Sequence, residues 1–237
     1  MHNDRKTVIH QIHFLPWLPY VARLLCADIF ILLDNVQFKT KYFINRTLII
    51  EQGRERWLTV PTTGSQSKNT NEANICYGRN YSKIANTLSL VYRKSKYFHL
   101  LTPYIETFKR NDLFKIIDLN LSLLEIFFQQ LKIDFPQIIY SSDIKIDIDD
   151  RTDKMIYLCK NLNCSTIVFG FGGSIVAHDI KKIHEKGIST EHIGKDMIYN
   201  INDAYRKYAG ISFIHNLMHF GLNKTREELI SIKKLWK

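Results

Sequence analysis

Three stretches of this 237-residue chain gather residue types that do chemistry. In 8-VIHQIHFLPW-17, His10 and Gln11 stand at the end of an apolar run. An imidazole titrates near neutrality and serves as general acid or base, while a carboxamide donates and accepts when a substrate must be oriented. In 34-DNVQFKTKYFINR-46, Arg46 can grip a carboxylate or phosphate with paired hydrogen bonds and Lys41 adds a point charge. Asp34 can hold an amine or a sugar hydroxyl, and Gln37 and Asn45 supply a polar lining. In 170-GFGGS-174, Gly170, Gly172 and Gly173 admit close backbone approach, and with Ser174 they can aim N–H groups at an anion ahead of a helix. That stretch is neither a dinucleotide fingerprint nor a P-loop, because no Gly-Lys-Ser/Thr follows. Each stretch also has a plainer reading: a His and Gln that satisfy backbone, a polar loop with one Asp–Arg ion pair, and a tight strand–helix turn.

Metal and thiol chemistry are weaker. His215 and His219 have the i, i+4 spacing that puts two imidazoles on one helical face, but HNLMH lacks the Glu of HExxH, so no metal is expected. Cys26 and Cys159 fall in apolar helical patterns, where a thiol is inert core.

The elements that must position these residues follow from apolar spacing. The segment 7-TVIHQIHFL-15 reads as a buried strand, 17-WLPYVARLLCA-27 as a helix with Pro in its first turn, and 29-IFILLDNV-36 as a strand covered on both faces. In open parallel sheets, ligands bind off the carboxyl ends of the strands, so His10, Gln11 and Asp34 are expected to share one crevice. Two strands with a turn at Gly53 follow, over 47-TLII-50 and 55-ERWLTVP-61, and then a polar loop over 62–73. Helices are predicted over 81–98, 100–111 and 113–132. A second strand–helix–strand unit comprises 137–143, a helix over 152–163 with Thr152 or Asp153 near its cap, and 165–170; another helix follows over 175–187. The whole reads as one α/β domain over 1–237, a Rossmann-like, mostly parallel sheet with a helical insertion over 81–135.

A formal charge of +10 raises the local concentration of polyanions: nucleotides, sugar nucleotides and anionic lipids all qualify. The 33 Lys and Arg residues are dispersed and no recognition motif accompanies them, which argues against nucleic acid as the partner. No apolar run approaches the roughly 20 residues a membrane helix needs. The first ten residues carry no apolar signal stretch, and the four cysteines form no CxxC pair, so the expected compartment is the cytosol and the expected cysteines are free thiols.

In this order, the segments resemble the WbqC-like family of bacterial O-antigen and related polysaccharide gene clusters. That family opens with His-Gln-Pro and a Phe-Leu-Pro-Trp-Leu-Gly-Tyr turn, and this chain has 10-HQIHFLPWLPY-20. The family's Asp-Asp-Val-Gln-Phe and Asn-Arg appear as 34-DNVQF-38 and 45-NR-46, and its Trp-Leu-Thr-Val-Pro as 57-WLTVP-61. The late glycine turn is echoed by 170-GFGGS-174 and the closing pattern faintly by 217-LMHFG-221. Ile12, Pro19 and Asn35 depart from it; Asn35 removes the second of two adjacent acids and is left out of the catalytic set. The resemblance implies an enzyme that forms an amide by acyl or aminoacyl transfer, glycyl included, onto an amino sugar. Its partners are then a small-molecule or nucleotide-linked amino sugar and an activated acyl donor, with the cofactor left open. Candidate catalytic residues are His10, Gln11 and Asp34; candidate substrate-binding residues are Gln37, Lys41, Asn45, Arg46, Gly170, Gly172, Gly173 and Ser174.

A second resemblance, to pantothenate synthetase and its nucleotidyltransferase relatives, rests on 10-HQIH-13 and 37-QF-38 and implies ATP-dependent activation of a carboxylate; no Lys-Met-Ser-Lys-Ser-like loop accompanies it. A non-catalytic sugar-binding module is the remaining alternative.

Overall fold

The computed structural model describes residues 4–63, 68–110, 112–170, 173–192, 197, 199–200, 207 and 210–236. The N-terminal unit forms as its apolar runs require: strand β1 (Lys6–His10), helix α1 (Leu18–Leu24) and strand β2 (Ile29–Leu32). Pro19 falls in the first turn of α1, where the missing N–H has no intrahelical partner to lose. Strand β2 is buried at all four residues, as a strand covered on both faces must be.

Beside these strands lie β7 (Gln137–Tyr140), β8 (Thr166–Val168) and β9 (Ser189–Glu191). The order is β7-β2-β1-β8-β9, and every neighbouring pair is parallel. The chain steps outward from β1 through β2 to β7, then returns across the sheet to β8 and β9. The reversal falls between β1 and β8, and ligands of such sheets bind off the carboxyl ends at that point.

Side-chain alternation divides the core into two layers. Val8, Phe30 and Leu32 pack on one face with residues of α1 and of α2 (Arg79–Tyr92), α3 (Thr102–Lys109), α4 (Ile116–Leu131) and α8 (Phe213–Lys233). Ile9, Ile29, Ile31 and Ile167 pack on the other with Met155, Leu158 and Cys159 of α5 (Arg151–Asn161) and Ile183 of α7 (Ile180–Glu185). Helices on both faces make the fold Rossmann-like α/β.

The crossover from β2 to β7 is long. It holds the hairpin β3 (Arg46–Glu51) and β4 (Arg54–Thr59), the short pair β5 (Thr62–Thr63) and β6 (Asn74–Ile75), and then α2 to α4. The hairpin turns on Gln52 and Gly53, at φ 51° and 76°, as a two-residue turn matched to right-handed strand twist demands. The central helices share one apolar cluster with Val8 and Phe30, so they cover a face of the sheet.

Several boundaries differ from the sequence reading. The long helix starts at Ile116, because Leu113–Lys115 run extended and the Phe114 carbonyl accepts from Ile75 N. Helix α5 is capped by Asp150, whose carboxylate accepts from Asp153 N at 2.9 Å, which is the reach of an N-cap side chain to the third helical residue. The helix expected over 175–187 is two pieces, α6 (Gly173–Val176) and α7, because Asp179 caps a fresh start through Lys182 N. Helix α8 kinks at Gly221, where φ is 73°. Among the described residues no helix is long and apolar enough to cross a membrane.

Candidate functional site

A cavity of about 470 Å³ opens off the carboxyl ends of β1 and β2 and is closed on its far side by the start of α5. His10 ends β1 and pairs in register with Leu32, so the next residues of both strands, Gln11 and Leu33, reach the cavity wall together. Asn35, Gln37, Lys39 and Tyr42 complete that side. Asp149, Arg151, Lys154 and His178 face them across the opening.

His10 is half-buried, and its hydrogen bonding fixes its chemistry. Its Nδ1 lies 2.8 Å from the Gln11 carbonyl oxygen, which also accepts from the Tyr20 hydroxyl at 2.8 Å. A carbonyl only accepts, so Nδ1 carries the proton and Nε2 keeps a lone pair. Desolvation pulls the His10 pKa down to about 3, with the charge of Arg23 adding to it and the Gln11 bond opposing it. At neutral pH the ring is therefore an uncharged acceptor. Gln11 is held by its Nε2 donating to Thr70 Oγ1 at 2.9 Å, while Thr70 donates in turn to the Val36 carbonyl.

The rim is cationic. Among the described residues of the lining, Lys39, Arg151 and Lys154 stand against a single carboxylate, Asp149. Arg151 and Lys154 sit three residues apart in the first turn of α5, a spacing that puts both side chains on one helical face. His178, between α6 and α7, has its pKa lowered by burial first and by Arg151 second. Three fixed positive charges around a concave polar opening attract phosphate or carboxylate groups and depress the pKa of any bound ammonium.

Asp34 is not in this cavity. It is 3% exposed, and its carboxylate is saturated: Oδ1 accepts from Ser141 Oγ at 3.0 Å and Ser142 N at 2.9 Å, Oδ2 from Ser142 Oγ at 2.6 Å and Asn71 Nδ2 at 3.3 Å. Asp34 is a latch tying the end of β2 to the turn after β7. The expectation that it opens beside His10 is thus not met, and Asn35, the residue set aside, lines the cavity instead.

The other expected residues divide. Gln37 lines the cavity with His10 and Gln11. Asn45 is buried, its Nδ2 donating to the Val60 carbonyl at 3.1 Å across the β3–β4 pair. Arg46 stacks on Trp57, 4.1 Å from the ring centroid, on the β3–β4 hairpin and outside the described lining of the cavity. Lys41 is exposed at φ 59° in the loop before β3, outside the cavity lining. Gly170 follows β8, outside the described lining of the cavity, and Gly173 and Ser174 open α6. Gly172 lies outside the described residues.

Tyr42, Arg151 and Lys154 were missed by sequence reasoning, while Lys39, in the polar stretch 34–46, and His178, among the C-terminal histidines, were seen but not assigned to the site. The basic pair in the first turn of α5 was a usable signal, since that helix follows β7 and starts at the same edge of the sheet. The His215 and His219 rings lie tilted with centroids 3.9 Å apart and with a Tyr92 contact, away from the cavity, and among the described residues no three metal-ligating groups gather. The thiols of Cys26 and Cys159 are pushed up to about 12 by desolvation, which leaves them protonated.

A doubly covered parallel sheet with a polar cavity off its strand ends defines a Rossmann-like α/β protein. The sequence pattern of the WbqC-like protein family matches residues 11–227, and the chain belongs to that family. No curated protein and no solved structure matches it.

Proposed function

We propose that this protein is a transferase that forms an amide by moving an acyl or aminoacyl group, glycyl in the simplest case, onto the amine of a nucleotide-linked amino sugar for surface polysaccharide. The observation that carries this reading is the pairing of an uncharged, tautomer-fixed His10 with the cations Lys39, Arg151 and Lys154 around one cavity. Amide formation needs a neutral amine. The cationic rim disfavours ammonium and grips the phosphates of the acceptor, while the Nε2 lone pair of His10 accepts an N–H of the nucleophile. The amine nitrogen attacks the acyl carbonyl carbon, a C–N bond forms, and the bond from that carbon to the donor's leaving group breaks. His10 Nε2 holds the amine N–H as acceptor and so orients the lone pair, and the proton shed by nitrogen passes to the departing leaving group. Gln11, Asn35 and Gln37 orient sugar hydroxyls and the acyl oxygen.

The test is product formation. Purified protein, a panel of nucleoside-diphosphate amino sugars and activated glycyl or short acyl donors are expected to give an amide product by mass spectrometry. A second reading, an ATP-dependent amide ligase of the nucleotidyl-transfer type, is supported by the strand order and its switch point beside β1. It is weakened by His13, which is packed away from the cavity lining. ATP-dependent pyrophosphate release separates the two. Sugar binding with no product under any donor would leave only the non-catalytic module.

A further inference from the structure

The cavity carries an aromatic surface that the proposed transfer leaves without a role. Tyr42 is among the residues that line it, and its ring is open: the residue is 42% exposed. Its backbone is fixed on both sides. The Tyr42 carbonyl accepts from Asn45 N at 3.1 Å and from Arg46 N at 3.2 Å, and the Phe43 carbonyl accepts from Phe14 N at 2.8 Å. Those bonds close the turn that leads into β3 and tie it to the segment after β1. The ring is steadied by two neighbours that cross it rather than lie parallel to it. Phe43 meets it at 72° with centroids 5.8 Å apart, and His13 at 88° and 6.1 Å.

Tyr42 shares the loop between β2 and β3 with Lys39, and Phe38 N in that loop donates to the Lys68 carbonyl at 2.9 Å. Arg151 and Lys154 face both residues across the opening. One cavity of about 470 Å³ thus offers an exposed aromatic ring together with three cations. A nucleotide is the ligand class that uses both: its flat heterocycle stacks on an aromatic face, and its phosphates need positive charge. A sugar phosphate has the anion but no flat ring, so it would use the cations alone.

We propose that Tyr42 is the stacking platform for the base of a nucleotide whose phosphates are taken by Lys39, Arg151 and Lys154. The contact is made by the face of the ring, so phenylalanine serves in its place and an aliphatic residue does not. The inference rests on the proposed transfer for one point, that the acceptor is nucleotide-linked. It makes Tyr42 the residue by which the cavity tells a nucleotide sugar from a sugar phosphate.

The experiment titrates the full chain by calorimetry with UDP, ADP and inorganic pyrophosphate in turn, at matched ionic strength so that screening is equal. Both nucleoside diphosphates are expected to bind roughly tenfold or more tighter than pyrophosphate, the worth of one stacked base. Tyr42→Phe is expected to bind all three as wild type does. Tyr42→Leu keeps apolar bulk and loses the aromatic face. It is expected to lose the advantage of the nucleotides while its pyrophosphate affinity and Tm stay at wild-type values. Tyr42→Ala repeats the test where the Leu variant does not fold. Nucleoside diphosphates that bind no tighter than pyrophosphate, or a folded Leu or Ala variant that keeps the advantage, overturn the platform. Neither result touches the transferase reading, which product formation decides. Failure of all three probes to bind overturns the platform and also removes the phosphate-gripping rim from the proposed reaction.

Discussion

His10 donates its Nδ1 proton to the carbonyl oxygen of Gln11 across 2.8 Å, so the lone pair of the ring is on Nε2. A backbone carbonyl one residue away fixes the tautomer whatever occupies the cavity.

From that arrangement His10→Ala is expected to lower turnover by roughly 10²-fold, the usual cost of losing an acceptor that orients the nucleophile. Tm is expected to stay within a few degrees of wild type, because among the described residues the half-buried ring makes no other hydrogen bond to the fold. Paired kinetics and thermal melts check this.

The pH dependence of stability has a definite sign. The pKa values of His10 and His215 are both lowered to about 3, mainly by desolvation, from an ordinary 6.5. Between those values the unfolded chain binds protons that the folded chain does not. Stability is therefore full above pH 6.5 and falls as pH drops toward 3, by up to about 1.4 kcal/mol per pH unit for each such histidine. Urea titrations between pH 7.5 and 4.5 measure the slope. In NMR titrations the His10 ring is expected to stay neutral across that range.

Asp34 is assigned to the fold, and its variant separates that role from catalysis. Asp34→Ala strips partners from Ser141, Ser142 and Asn71 at a buried site and is expected to cost about 2–4 kcal/mol in chemical denaturation. A catalytic Asp34 would instead show lost turnover at unchanged stability.

These two residues mark what the sequence makes legible. The β1–α1–β2 unit, the hairpin turning on Gly53 and the three central helices could be read because apolar spacing and turn chemistry are local. The carboxyl-end location of His10 and Gln11 followed from the same pattern. The choice between Asp34 and Asn35 did not, because β2 ends at Leu32 and strand alternation stops applying there. Ser141 and Ser142, which claim the Asp34 carboxylate, lie more than 100 residues away in sequence. Arg151 and Lys154 reach the cavity from α5, in the later connection between β7 and β8, and are as distant in sequence. Arg46, a sound anion clamp by type, is taken by Trp57 on the hairpin, a pairing that register alone decides.

Gly221 carries a prediction about the C-terminal helix. At φ 73°, a Cβ there would come within 2.4 Å of Tyr97 Cε1. Gly221→Ala is expected to destabilise the protein by roughly 2–4 kcal/mol, from backbone strain and an aromatic ring with little room to shift. Denaturant midpoints read it directly, and Tyr97→Ala in the same chain is expected to relieve the steric part.

The most direct measurement is calorimetric titration of a nucleoside-diphosphate amino sugar with a free amine into wild type and into the Arg151→Met, Lys154→Met double variant. Both side chains lie on the rim of the cavity, and losing two charge-assisted contacts is expected to weaken binding by roughly tenfold or more, with a smaller salt dependence and unchanged Tm. Equal affinity in the two proteins would contradict the assignment of this cavity as the place where the substrate binds.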